Sequence, residues 1–553
     1  MTTTSTAPVH VTGAPRGLQR NLGFWGLMFV SLGSIIGSGW LLGALTAATV
    51  AGPASLISWA LAAVMLLVIA LVHAELGAAY PFAGGTARFP SFAFGPLAAF
   101  TAGWMTFLQA VTIAPIEVEA TLSYTAHIGW VSRHVTILDP HGDLTWPGIA
   151  IASAFLLLFT LINLVGVRML SDSNAVAVVW KTLVPLLTVV VLVTLSFHAG
   201  NFTAGGGFMP FGVHGVFAAL PAGVVFALQG FEQAIQMAGE ARRPQQDVSR
   251  AVIVSTVIGM VVYLLLEAAF IGALVPANLV HGWASPIGAG AFGPYAQIAS
   301  ALGVGWLAFV LYLDAVVSPA ATGLVYVGTT ARITYAMGRE RSLPAQLARI
   351  NVRGVPVWSI LAAFVIGELC LLPFPSWQSL VGLVTSATMI MYAYAPVALH
   401  ALRLRDPFRH RPYRTPAWRV LSPLAFVFAN LTVYWSGFEA NWKICASLAL
   451  GLTVFAGIRR LTPAEARTDL HWRSALWIAP WLGGMLLIGY LGRYGTAARG
   501  ILPNWWDLAT VTAYSLAVYY YAVRKALPAE AVVTAVAADE SRDLPAPPAT
   551  AVA

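Results

Sequence analysis

Charged and polar side chains stranded in apolar sequence are the first chemistry this chain offers. Lys181 sits between Trp180 and Thr182, and Glu232 lies in Phe226-Ala227-Leu228-Gln229-Gly230-Phe231-Glu232-Gln233. Asp314, Ser318 and Thr322 fall at i, i+4 and i+8, so on a helix they form one polar stripe. Glu117 and Glu119 stand two apart and cannot share a helix face. Gln109, Thr112, Glu119 and Ser123 do share one, which favours Glu119 for the interior and Glu117 for a structural pair. Ionisable groups in apolar spans are costly, and by default they mark ion or proton routes. Desolvation disfavours the charged form of a buried amine. Lys181 is therefore a candidate proton-exchanging group, with a lysine snorkelling to the headgroups as the alternative. Ser318 and Thr322 fit where their helix would meet it, or serve as ordinary interhelical hydrogen-bonders.

Two interruptions of the apolar pattern would position these groups. Gly33-Ser34-Ile35-Ile36-Gly37-Ser38-Gly39 lies midway along the run from Leu22 to Val50. Each Gly costs a helix about 1 kcal/mol relative to Ala, and freed backbone survives at membrane depth only where it is buried or lines a cavity. A helix broken here would present N–H and C=O groups to a small polar solute. An intact helix whose small residues pack against a neighbour is the alternative. The second interruption, around Gln229-Gly230, comes five spans later. Interrupted segments at corresponding places in two halves point to a central transport site, and a repeat of five spans would invert the second half. A glycine kink with Glu232 satisfied by a neighbour is the other reading.

Composition sets the class that holds these elements. The 553 residues are 58% hydrophobic and 9% charged, whereas soluble domains carry about 25% charged residues. An all-α integral membrane protein follows, with about fourteen spans of ~20 residues each between 22 and 523. The expected organisation is a disordered cytoplasmic tail at 1–20, a ten-helix core at 21–404, four further spans at 405–525 and a disordered tail at 526–553. Residues 276–300 read as an external loop with a short surface helix. With both termini inside, only Arg133, Lys443, Arg493 and Arg499 of the 30 basic residues fall outside. That asymmetry obeys the positive-inside rule and places both termini in the cytoplasm. Charge so distributed is a topology signal, not a nucleic-acid surface. Cys370 and Cys445 give neither a disulfide framework nor metal spacing.

The chain resembles amino acid permeases of the amino acid–polyamine–organocation superfamily. The resemblance runs from about residue 20 to 404. It rests on Gly33 to Gly39, then Gly52-Pro53, Ser58-Trp59, Ala74-Glu75-Leu76, Pro81 and Gly84-Gly85. Gly230-Phe231-Glu232, the run Gly239 to Asp247, Ala331-Arg332 through Arg339, Leu343-Pro344 and Gly354-Val355-Pro356 continue it. Thr86-Ala87-Arg88-Phe89 departs from it, since many members carry aromatic residues there. The resemblance implies a 5+5 inverted-repeat core of the leucine-transporter type, broken in its first and sixth helices and working by alternating access in a cell membrane. Glu117-Val118-Glu119 and Asp314 to Pro319 look like fourteen-helix bacterial aspartate–proton symporters.

It also implies where an amino acid zwitterion would sit. Its carboxylate would meet the N–H groups of Gly37, Ser38 and Gly39 at a half-helix N-terminus, where the dipole favours an anion. Its ammonium would meet carbonyls near Gly33, Ser34 and Ile35 and those of Phe226 to Leu228. Gln229, Phe231 and Glu232 would meet the substrate side chain or gate it, although Phe226 and Phe231 suit packing equally well. Proton-coupled members place an amine where sodium-coupled relatives bind sodium, and Lys181 fits that place. Proton coupling and gating are thus expected of Lys181, Glu119, Glu232, Asp314, Ser318 and Thr322. Glu75, Glu267 and Glu368 read as structural hydrogen-bonders.

The function that follows is secondary active amino acid transport, with no enzyme chemistry, cofactor or metal. Charge alone points to neutral or cationic substrates, because no Arg lies at mid-membrane depth; the subfamily resemblance points to aspartate or glutamate. Symport and exchange both stay open, as do monomer and homodimer. A channel or nutrient receptor is the rival class.

Overall fold

The structure is a computed structural model. It describes residues 20–543 apart from 83, 166–167, 288–292, 352–354, 373–375 and 504, so the first tail and Gly354 of the family pattern lie outside the described residues. Among the described residues, extended pairing is limited to two isolated bridges, Leu22 with Ala241 and Leu138 with Leu144. The helices begin with α1 (Phe24–Ile35), α2 (Gly39–Ala51), α3 (Ser55–Ala79), α4 (Arg88–Phe94), α5 (Pro96–Thr125), α6 (Gly129–His134), α7 (Trp146–Val165) and α8 (Arg168–Leu195). A broken segment follows, made of α9 (Gly212–Ala219), a π-helical turn Leu220–Val224, α10 (Val225–Leu228) and α11 (Gln233–Gln236). Next come α12 (Pro244–Ala273), α13 (Pro294–Ala301), α14 (Gly305–Arg339), α15 (Val357–Leu371) and α16 (Trp377–Arg405). The last are α17 (Trp418–Trp435), α18 (Gly437–Leu461), α19 (Trp472–Ala475), α20 (Ile478–Leu491), α21 (Trp506–Lys525) and α22 (Ala529–Asp543).

Nine helical stretches among the described residues are long and apolar enough to cross a membrane. Their burial separates centre from rim: the most apolar window of α16 is 94% buried within the protein and that of α18 only 22%. Around α16 the helices sort into two neighbourhoods. α5 packs along α14, with α7 and α15 beside them, while α3 and α1 pack along α12.

Both expected breaks are present. α1 stops at Ile35 and α2 starts at Gly39, and the second break spans residues 229–232. The two touch through backbone. Gly230 has φ 124°, and a Cβ on it would lie 2.8 Å from Ser34 Oγ and 2.9 Å from the Ile35 nitrogen. Only glycine meets both the dihedral and the approach. Ser31 stitches the pair: its hydroxyl donates to the Phe231 carbonyl at 3.0 Å and accepts the Ala234 N–H at 3.0 Å.

Two segments differ from expectation. Residues 529–543, read as disordered tail, form α22, because Ala-rich sequence favours helix and Val532 and Val536, one turn apart, find cover. Within 276–300, α13 is not a surface helix. Tyr295, Ala296 and Ala299 are buried, and Tyr295 lies against Trp40 with ring centroids 5.6 Å apart.

The peripheral carboxylates are held by neighbours. Glu267 accepts from Ser55 and from Trp59 Nε1, and Glu368 accepts from Ser153 at 2.6 Å. Glu75 is fully buried. It accepts Arg403 Nε at 2.8 Å, Arg403 Nη2 at 2.6 Å and the Thr415 N–H at 2.7 Å, with Arg411 3.5 Å away. This cluster ties α3 to the end of α16 and the strand of chain leading to α17. Arg403→Ala would strip the bidentate partner from a buried charge, at a cost of about 3 kcal/mol, the lower end for such pairs because Arg411 remains. Thermal unfolding in detergent should show a clearly lower midpoint, and an unchanged midpoint would exclude the ion pair as a fold determinant.

Candidate functional site

The gap between α1 and α2 frees backbone groups, and a carboxylate answers them. Ser38 N–H donates to Glu117 Oε2 at 2.8 Å and the Ser38 hydroxyl to Oε1 at 3.1 Å. Trp377 Nε1 donates to the same hydroxyl at 3.1 Å. The carboxylate thus lies at the N-terminus of α2, where the dipole welcomes an anion. A Cβ on Gly37 would sit 2.7 Å from Glu117 Oε1, so that position has no room for a side chain. Gly37 N–H turns inward to the Ile35 carbonyl at 3.2 Å, and Gly39 begins α2 in backbone contact with Ala227.

Both glutamates of α5 are buried. Glu117, expected in a structural pair, makes one with Ser38 and so faces the break. Glu119, expected in the interior, is there, but on the side of Cys370 in α15, and neither of its carboxylate oxygens has a hydrogen-bond partner among the described residues. A polar stripe identifies a helix face, yet it does not say which neighbour that face meets.

Lys181 lands between the first break and α14. Its amine donates to the Gly33 carbonyl at 2.9 Å and to Thr322 Oγ1, with 2% of the residue exposed. Thr322 in turn donates to the Ser318 carbonyl at 3.2 Å. Asp314 lies beyond, accepting from Ser318 Oγ at 2.6 Å, Trp180 Nε1 at 2.7 Å and Trp40 Nε1 at 3.1 Å. Adjacent residues of α8 therefore grip α14 at two points, two turns apart. The stripe continues to Tyr326, whose hydroxyl shares a 2.7 Å hydrogen bond with Ser34 Oγ.

From the second break come Phe226 and Gln229. Phe226 meets Trp377 edge-on at 5.6 Å. The buried Gln229 amide has no partner for either polar atom among the described residues. Glu232 accepts from Tyr392 and from the Gly230 N–H at 3.0 Å, so it caps its own break. Phe231 turns away to stack on Tyr392 at 4.7 Å, with His73 edge-on at 5.4 Å. Leu228 is buried but does not reach the space between the breaks.

That space is a small cavity walled by Ser34, Ile35, Gly37, Gly39, Glu117, Phe226, Gln229 and Thr322, with Ile113, Ala227 and Tyr326 completing it. It has room for about one water molecule. Tyr263 reaches in from α12, its hydroxyl donating to the Ile35 carbonyl at 2.8 Å. A second cavity, between α5, α7, α14 and α15, has Thr160 and Thr330 as its polar wall and no ionisable group. Among the described residues no group of His, Cys, Asp or Glu side chains could hold a metal.

Sequence reasoning missed Glu117, Tyr326, Tyr263, Ile113 and Trp377. Tyr326 was within reach, since it extends the series 314, 318, 322 by one more step of four. Tyr263, Ile113 and Trp377 carry no local signal, because only long-range packing brings them in. Taken together, anion donors, an amine, a carboxylate and unpaired amide atoms gather around the small space between the two breaks.

Comparison with known proteins places the chain in a family. The profile of the family described as amino acid permease matches residues 22–455. The glutamate/serine transporter AimA of Bacillus subtilis (strain 168) is 34% identical over 513 residues, 92% of this chain and 94% of its own length. The aspartate-proton symporter of the same organism is 33% identical over 518 residues, 93% of this chain and 98% of its own. A branched-chain amino acid permease, BcaP, also from Bacillus subtilis (strain 168), is 25% identical over 459 residues, 81% of this chain and 94% of its own. With its apolar spans, the molecule is a multi-pass membrane transport protein rather than an enzyme, and the chain belongs to the amino acid permease family.

Proposed function

We propose that the protein takes up amino acids across the cytoplasmic membrane together with protons. The reading rests on one observation above all: two broken helices meet at a small cavity, with Glu117 in its wall and Lys181 hydrogen-bonded beside it to Gly33 and Thr322. Breaks in the first and sixth of the expected spans suit a 5+5 inverted repeat over residues 21–404, with alternating access around a fixed centre and four further spans at 405–525. Both termini lie in the cytoplasm in this reading, since the basic loops mark that side.

The substrate carboxylate would take the donors at the start of α2, and its ammonium the carbonyls closing α1 and α10. A charged Glu117 competes for the Ser38 N–H, whereas a proton on Glu117 frees that donor. Proton and substrate then favour each other's binding, and linkage makes the effect reciprocal. Lys181 acts on the same event from the other side. It ties the end of α1 to α14, and loss of its proton would loosen that tie and favour inward opening. Asp314, with Ser318, orients Trp180 beside the lysine.

Acidic amino acids are the favoured class. Thr322, Tyr326 and the Gln229 amide provide neutral donors for a side-chain carboxyl, and the names of two similar proteins mention glutamate, serine or aspartate. Neutral amino acids are the second reading, because no Arg walls the cavity. Competition of uptake by a twenty-amino-acid panel decides, and inhibition by Arg and Lys alone would overturn both.

In proteoliposomes, an inward-acid gradient should drive uphill uptake without sodium; a sodium requirement would end the proton-coupled reading. Lys181→Ala should lose uphill accumulation by at least about tenfold while keeping exchange. Retained pH-driven accumulation in that variant would remove Lys181 from the mechanism. For Glu117→Gln the expectation is different: substrate affinity no weaker than wild type and nearly independent of pH, with uphill uptake lost. Calorimetric titration between pH 5 and 8 checks it, and a wild-type pH dependence would exclude Glu117 as a proton carrier.

A further inference from the structure

Arg88, in the stretch that departs from the family's aromatic pattern, opens α4 and pairs with two carboxylates far apart in the chain. One is Glu340, just past the end of α14, and the other is Asp539 of α22. The Arg88 and Asp539 side chains are only 18% and 8% exposed. More than charge seats α22. Leu527 N–H donates to the Ala93 carbonyl at 2.9 Å, and Val532 and Val536 are buried. Glu540 pairs with Arg409, which donates to the Ala79 carbonyl at 2.8 Å and lies over the Tyr80 ring at 4.9 Å. One helix thus engages the ends of α3, α4 and, through Arg88, α14.

Behind Arg88 stands the second break. A Cβ on Gly85 would lie 2.8 Å from the Gln236 Cα at the end of α11, so the 84–88 turn backs directly on that half-helix. α11 packs on α1, and Leu22 is bridged to the exit of α11: its N–H donates to the Glu240 carbonyl at 3.0 Å, and its carbonyl accepts the Arg242 N–H at 2.7 Å. Opening the cavity toward this face requires α1 and α11 to move past the 84–88 turn, which Arg88 fastens to α14.

We propose that α22 is an intramolecular latch that, through Asp539, holds the 84–94 segment against α11, while Glu540 and Arg409 pin the end of α3, and that it keeps the basic face of the site shut. Its release favours opening to that side. The role in transport rests on the alternating-access reading above; the mechanical coupling does not.

Hydrogen exchange on the purified full-length protein, in detergent and without substrate, tests the coupling. Asp539→Asn, and separately a truncation after Pro528, should speed amide exchange in residues 24–35 and 233–241 by about fivefold, while Asp539→Glu should stay at the wild-type rate. Faster exchange confined to 529–543, or unchanged exchange in both segments, would overturn the latch. Should the truncated protein fail to fold, the contrast between Asn and Glu at position 539 decides. A protein that moves no amino acid in proteoliposomes would count against the transport reading and leave this result standing.

Discussion

Backbone amides cut loose inside a bilayer must find partners, and most of this structure can be understood as the answer to that demand. A helix interrupted in hydrocarbon leaves N–H and C=O groups that water cannot reach. Here Glu117 satisfies the Ser38 N–H, Lys181 the Gly33 carbonyl, Tyr263 the Ile35 carbonyl and Ser31 two groups of the second break. Each partner comes from a different helix, so the interruption acts as a hub that draws α5, α8 and α12 together. Groups that close a broken helix are the same groups that a polar solute would displace. Stability and binding are thus served by one set of contacts, in competition.

α14 supplies the fixed side of that competition. Its stripe from Asp314 to Tyr326 presents a carboxylate, two hydroxyls and a phenol on one face, spaced by single turns. Two indoles hold the carboxylate end, from α2 and α8, while Tyr326 holds Ser34 at the other end. The two halves of the first broken helix, α1 and α2, are therefore gripped separately by one continuous helix. In the proposed function, a change at one of these grips would leave the other in place, the asymmetry a two-state device needs.

Much of this was legible in the residues. The cost of glycine in a helix made both interruptions visible, and the rarity of charge in apolar runs singled out Lys181, Glu232 and Asp314. What failed to show depended on packing between distant segments. Helical periodicity placed Glu119 in the interior, where it lies, but nothing local records that Glu117 meets the Ser38 amide at the first break. Phe231, for which a place in the site and a packing role were both open, stacks on Tyr392. The Ala- and Pro-rich composition past 526 concealed a helix whose cover, α4 and α16, lies more than a hundred residues away.

The contact between Gly230 and the Ser34–Ile35 backbone has a consequence for how such a protein can change over generations. Any side chain at 230 would push two backbones apart, so that position is closed to drift, as is Gly37 against Glu117. Gln229 is not so confined, since its amide touches no polar partner and its side chain fills space rather than closing a helix. If the cavity is the substrate site, substitution at 229 could alter what it accepts without disturbing the backbone contact that Gly230 makes possible.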